Sequence, residues 1–131
     1  DALVDFIHYP AKAARPYVVA ANPELVNRIA GDDMMRGCTI AANGFYGPQG
    51  RVLRCDIAVK DINDRITDFR YEGQRITNYE MEGSAIAGLS LLMGHKAMTV
   101  CCVIAQRKVE AANTDYKPRI KQLVQTVLER I

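Results

Sequence analysis

Ile76-Thr77-Asn78-Tyr79-Glu80-Met81-Glu82-Gly83-Ser84-Ala85 is a junction between two periodicities. From Ile76 to Met81 the run is short and rich in β-branched, aromatic and apolar residues, the composition of a strand. From Gly83 to Met93 small or apolar residues dominate almost all round a helix, which predicts burial on several sides. A strand handing over to a helix is the unit from which α/β folds are assembled. At the hand-over stand two carboxylates, Glu80 and Glu82, on either side of Met81. Carboxylates are strong acceptors for vicinal hydroxyls, and a thioether between them can lie against the apolar face of a sugar ring. The same acids suit any helix start, because the macrodipole favours negative charge there, and the residues alone leave both readings open.

Upstream, Cys38 to Ala42 is a brief apolar run read as a buried strand, and it enters the loop Gly44-Phe45-Tyr46-Gly47-Pro48-Gln49-Gly50-Arg51. Asp56 to Phe69 carries Ile57, Val59, Ile62, Ile66 and Phe69 among charges, which predicts a surface helix before the turn Glu72-Gly73-Gln74. Further upstream, Asn22-Pro23-Glu24 supplies a cap, a proline for the first helical position and an early acid. Leu25, Val26, Ile29 and Ala30 then recur at helical spacing until Gly31.

Downstream, Gly94 is the expected C-cap and His95 a turn residue. Ala97 to Ala105 is a near-continuous apolar run, which predicts a central strand covered on both faces and ending at Gln106-Arg107. A last helix, capped by Thr114 or Asp115, presents Ile120, Leu123, Val124, Val127, Leu128 and Ile131 as a stripe expected to pack in the core. Strands alternating with helices predict an α/β fold, and no linker or repeat divides residues 1–131, so one domain is expected. The first twenty residues carry no mark of a natural domain start, and the chain reads as cut from something longer.

Composition narrows the function. At 131 residues and 49% hydrophobic content the chain can bury a core. A net charge of +2 spread along the sequence gives no basic stripe, so nucleic acid and membrane surfaces are not expected partners. No apolar run approaches a membrane span and no secretory signal opens the chain, which reads as cytoplasmic. Cys38, Cys55, Cys101 and Cys102 lack metal-type spacing and are expected to be buried and reduced; His8 and His95 suggest no metal site.

Four segments in register, Gly44 to Arg51, Asn78 to Ala85, Gly94 to Cys101 and Val103 to Arg107, resemble the C-terminal half of the uridine phosphorylases within the nucleoside phosphorylase family. The likeness covers most of the chain from about Gly37 to Ile131. It implies a mixed central sheet flanked by helices, seen as a partial domain that carries the nucleoside-binding half of the fold. The implied reaction is phosphorolysis of uridine to uracil and ribose 1-phosphate, with phosphate as co-substrate and no cofactor.

Breaking that glycosidic bond develops positive charge on the ribose and negative charge on the departing pyrimidine, so polar groups are needed at both poles. Gln49 offers a carboxamide that can donate to a carbonyl and accept from a ring N–H, and Arg51 offers fixed donors for the other oxygen, a pairing that suits uracil. By resemblance, Gln49 and Arg51 bind the base, Phe45 stacks beside it, Ile104 and Ala105 line the pocket wall and Arg107 adds cationic support. Glu80, Met81 and Glu82 are assigned to ribose, and Glu82, Gln49 and Arg51 are the expected catalytic set. Each has a plainer reading as a residue of a solvated loop, a packing anchor or a surface cation.

The family's glycine-rich phosphate loop and its arginines precede anything that aligns here, so the chain alone is expected to be inactive and to need the N-terminal half of the fold as a partner. Dimers or hexamers are implied by resemblance. Purine-specific relatives carry an aspartate at about Ala105, so its absence points to pyrimidine nucleosides; Gln106 stands where an asparagine is common. A hydrolytic nucleosidase of the same fold and a non-enzymatic storage or assembly relative are the alternatives.

Overall fold

The computed structural model describes residues 1–106, 111–112 and 114–131. The chain divides into two units, Asp1–Val19 with Arg36–Ser84 and Ala20–Met35 with Ala85–Ile131.

The first unit is built on a mixed three-stranded sheet in the order β1-β3-β2, formed by β1 (Cys38–Ala41), β2 (Arg70–Tyr71) and β3 (Gln74–Glu80). Glu72 and Gly73 both have positive φ, 48° and 76°, the signature of a two-residue primed turn whose twist matches its strands. That turn pairs β2 antiparallel to β3, Arg70 with Arg75 and Tyr71 with Gln74. On the other edge β1 runs parallel to β3, with Thr39 opposite Asn78, Ile40 opposite Tyr79 and Ala41 opposite Glu80. The register shifts between Cys38 and Thr39. There the Thr77 hydroxyl donates to the Cys38 carbonyl at 3.2 Å, and a Cβ on Gly37 would fall 2.2 Å from the Thr77 methyl, so only glycine lets the strands close.

Helix α1 (Ala2–Phe6) and helix α3 (Ile62–Asp68) belong to the same unit. Phe6 meets Phe69 edge to face at 5.5 Å, and Ile7, Ala42, Ile66 and Phe69 are buried. Ile66 and Phe69 are the buried part of the predicted apolar stripe, and Ile57, Val59 and Ile62 are half-buried. The helix itself is shorter than the predicted Asp56–Phe69 and starts after Asp61, which pairs with Arg65 at 2.8 Å; residues 58–61 form bends and turns, and the ion pair within the segment, Asp56–Lys60, is exposed at 3.7 Å. Such a pair is worth a few tenths of a kcal/mol, about 0.3–0.5, too little to nucleate a helical turn.

In the second unit, helix α2 (Pro23–Ile29) starts as its sequence predicts: the Asn22 side chain accepts from the Leu25 N–H at 3.2 Å, and Ile29 is buried. Helix α5 (Lys117–Arg130) begins at Lys117 with no side-chain cap among the described residues, later than Thr114 or Asp115 would have placed it. Arg130 joins the two helices by donating to the Ile29 carbonyl at 2.8 Å and gripping both Asp33 oxygens at 2.9 Å. Its own carbonyl accepts from Arg28 Nε at 2.9 Å. Lys96 pairs with Glu24, and the Asn22 N–H reaches the Ala97 carbonyl at 2.8 Å.

Three predicted burials are corrected. Helix α4 (Gly83–Leu92) forms and ends as expected at left-handed Gly94, but Ile86, Leu89, Leu91 and Leu92 are 56–84% exposed. The α5 stripe is half open, with Val124, Leu128 and Ile131 exposed. The predicted central strand at 97–105 carries no ladder up to Ile104; only Ala105–Gln106 (β4) pair, with Ala111–Ala112 (β5). A strand exists only where a neighbour takes its backbone hydrogen bonds, and an apolar run states where burial is favourable without supplying the surface that does it. The cysteines follow suit: Cys38, Cys55 and Cys101 are exposed and Cys102 half-buried, all as free thiols. Among the described residues no helix is long and apolar enough to cross a membrane.

Candidate functional site

Parallel pairing of β1 with β3 decides where the chemistry-bearing segments go. Ala41 lies opposite Glu80, and the Ala42 N–H donates to the Glu80 carbonyl at 2.8 Å, so the C-terminal ends of both strands finish side by side. The loop that holds Phe45, Gln49 and Arg51 leaves β1 there, and the Glu80-Met81-Glu82 turn leaves β3 there. Open α/β sheets bind their ligands outside these carboxyl ends.

The loop is tightly wound. Gly47–Gln49 form one 3-10 turn, closed by Gln49 N and Arg51 N onto the Tyr46 carbonyl, both at 3.0 Å, and by Gly50 N onto Gly47 at 2.9 Å. Gly50 adopts the left-handed conformation at φ 73° that ends the turn. Gln49 is 3% exposed, a burial that costs free energy unless its polar groups are bonded. Arg51 is held flat, its guanidinium 3.7 Å from the Phe45 ring centroid and its Nη1 donating to the Phe45 carbonyl at 3.0 Å. Phe45 in turn meets Tyr46 edge to face at 5.2 Å, and both rings are about half exposed. A guanidinium stacked on an aromatic ring keeps its charge and most of its donors while losing rotamer freedom before any ligand arrives.

At the acidic turn the two glutamates play different parts. Glu80 folds one oxygen back onto the start of α4, where Oε2 accepts from the Glu82 N–H at 2.9 Å and from the Gly83 N–H. That satisfies two of the free donors of a helix N-terminus and fixes the backbone that carries Met81 and Glu82. Glu80 Oε1 is buried and accepts no hydrogen bond among the described residues. A buried carboxylate oxygen without a donor is costly, and a hydroxyl presented to it would remove that cost. The Glu82 and Met81 side chains are exposed. Ser84, in the first turn of α4, accepts from the Tyr17 hydroxyl at 3.3 Å.

Ile104 and Ala105 belong to the second unit and are exposed, Ala105 paired with Ala112. Arg107 lies outside the described residues. The structure adds Asn63, to which the sequence assigned no role. From α3 it reaches the loop carbonyl of Gln49 through Nδ2 at 3.4 Å and accepts from the Tyr79 hydroxyl at 3.0 Å. Nothing in its sequence neighbourhood marks it, because both partners are remote in the chain.

The sequence matches the phosphorylase superfamily over residues 3–130, and the chain belongs to that superfamily. It is similar to a curated relative, uridine phosphorylase A of Schistosoma mansoni, with 41% identity over 73 residues. The match covers 54% of this chain and 24% of the relative, so the aligned part spans about a quarter of that protein's length. No solved structure matches significantly.

Proposed function

We propose that this chain carries the base- and ribose-binding part of a uridine phosphorylase. The observation that carries the reading is the parallel β1–β3 pairing, which sends the Gln49–Arg51 loop and the Glu80–Glu82 turn out of the same end of one sheet. In the reaction, a phosphate oxygen bonds to C1′ of the ribose as the C1′–N1 bond breaks. The bonding pair leaves with the base, which takes up a proton as uracil, and the sugar departs as ribose 1-phosphate. Gln49 and Arg51 serve the base pole, where a fixed amide and a preorganised guanidinium stabilise the charge on the pyrimidine oxygens. Glu82, exposed beyond the Glu80 cap, holds the ribose hydroxyls and stabilises the cation-like sugar, and Met81 lies against the ring. Glu80 contributes through its cap and through Oε1, which meets no donor among the described residues. Phe45 stacks beside the base, and the family resemblance alone assigns Ile104 and Ala105 to the pocket wall and Arg107 to cationic support.

The phosphate site, the N-terminal half of the fold that would supply it, and assembly into dimers or hexamers complete the proposal, which places the protein in cytoplasmic pyrimidine salvage. The similarity to a protein named uridine phosphorylase A supports the choice of base. The test is uracil release from uridine by the intact native polypeptide with and without phosphate. Release that requires phosphate is expected, and equal release in its absence overturns phosphorolysis. In that polypeptide Glu82→Ala is expected to lower kcat by about 10²–10³, as loss of a transition-state contact does, whereas Gln49→Ala mainly raises KM.

A further inference from the structure

We infer that Asn63 is a positioning residue for the base loop, tying Gln49 and Gly50 to strand β3 one residue before the acidic turn. The inference rests on the reading of Gln49 and Arg51 as base-binding residues. Asn63 stands in the first turn of α3 and spends both ends of its carboxamide on different elements. Oδ1 accepts from Tyr79 of β3 at 3.0 Å, and Nδ2 donates to the Gln49 carbonyl at 3.4 Å. The amide has one sensible orientation: a carbonyl can only accept, so the NH₂ must face Gln49, while the Tyr79 hydroxyl can serve either end.

The contact continues at the next residue. A Cβ on Gly50 would lie 2.4 Å from Asn63 Nδ2, 2.7 Å from Cγ and 2.9 Å from Oδ1, so the loop backbone rests directly on the carboxamide. Asn63 thus touches two consecutive loop residues, immediately before Arg51. Tyr79 stands opposite Ile40 in the register that puts Glu80 opposite Ala41. One side chain therefore spans from the strand that ends in the ribose turn to the loop that holds the base. Helix α3 is a firm support for it, since Ile66 and Phe69 at its far end are buried.

The test compares the full chain with Asn63→Ala, Asn63→Asp and Tyr79→Phe. Asparagine to aspartate keeps an acceptor for Tyr79 and loses the donor to Gln49, which separates loop positioning from a simple tie between α3 and β3. Two measurements are made: hydrogen exchange at the Gln49, Gly50 and Arg51 amides, with the Phe69 amide as a core reference, and uracil affinity by NMR titration. Asn63→Ala and Asn63→Asp are both expected to speed exchange at the three loop amides about tenfold, to leave Phe69 unchanged and to weaken uracil binding about tenfold. Tyr79→Phe, which removes one oxygen, is expected to give a smaller change in the same direction and serves if the alanine variant fails to fold.

Loop exchange at the wild-type rate in Asn63→Asp and Tyr79→Phe overturns the inference, as does wild-type uracil affinity in Asn63→Asp. If the loop amides respond but the unmodified chain binds no uracil, the positioning role stands and the base-site reading fails.

Discussion

Gly50→Ala and Gly73→Ala place the same methyl group in the same backbone conformation and should nevertheless differ in cost. Gly50 and Gly73 have φ of 73° and 76°, where an L-residue is disfavoured by roughly 1–2 kcal/mol. At Gly73 the added carbon meets nothing within 4 Å among the described residues, so the backbone term is the expected effect. At Gly50 it would lie 2.4 Å from Asn63 Nδ2, and the carboxamide must leave. Its bonds to Gln49 and Tyr79 then go, at about 0.5–1.5 kcal/mol each. The expected totals are about 2–5 kcal/mol for Gly50→Ala and about 1–2 kcal/mol for Gly73→Ala.

Urea unfolding of the two variants and the unmodified chain measures the difference. With a slope of about 1–3 kcal/mol per molar urea, Gly50→Ala should unfold at a midpoint about 1 M below that of Gly73→Ala. A double variant, Gly50→Ala with Asn63→Ala, relieves the clash and should be less unstable than the sum of the single changes. Coincident midpoints for the two glycine variants, or strict additivity in the double variant, would refute the packing of the loop on Asn63.

Two further outcomes follow from other contacts. Glu80→Ala removes the acceptor for the Glu82 and Gly83 amides and should cost about 1 kcal/mol, with faster hydrogen exchange at those two positions; Glu80→Gln, which keeps an oxygen, should cost less. In the second unit, the hydrogen bonds from Arg130 hold the Asp33 carboxyl below its ordinary pKa range. A depressed carboxylate contributes stability that is present above its unfolded pKa and lost as the pH falls through its folded pKa. Arg130→Gln should therefore return the Asp33 titration, followed by NMR, toward the ordinary range and remove that share of acid sensitivity; an unmoved titration would contradict the pairing.

Much of the fold is legible one element at a time. The Asn22 cap, the Glu72-Gly73 turn, the stop at Gly94 and the strands leading into Gly44 and Glu80 all follow from residues within a few positions of one another. Misreadings arise where a pattern stands for a partner. The apolar run at 97–105 and the all-round apolar α4 express a preference for burial, yet the described structure leaves most of their side chains half-buried or exposed. The site is legible in the same measure: the loop and the acidic turn could be singled out by residue type, whereas the division of labour between Glu80, spent largely on a helix cap, and Glu82 could not.

The chain's own letters determined which residues turn, cap and alternate, because those preferences are settled by sterics and hydrogen bonds inside a single turn or strand. Only the tertiary structure decided that β1 lies parallel to β3 and that Asn63 bridges Tyr79 to Gln49. Those are contacts between residues 14 to 39 positions apart, fixed by where three elements meet.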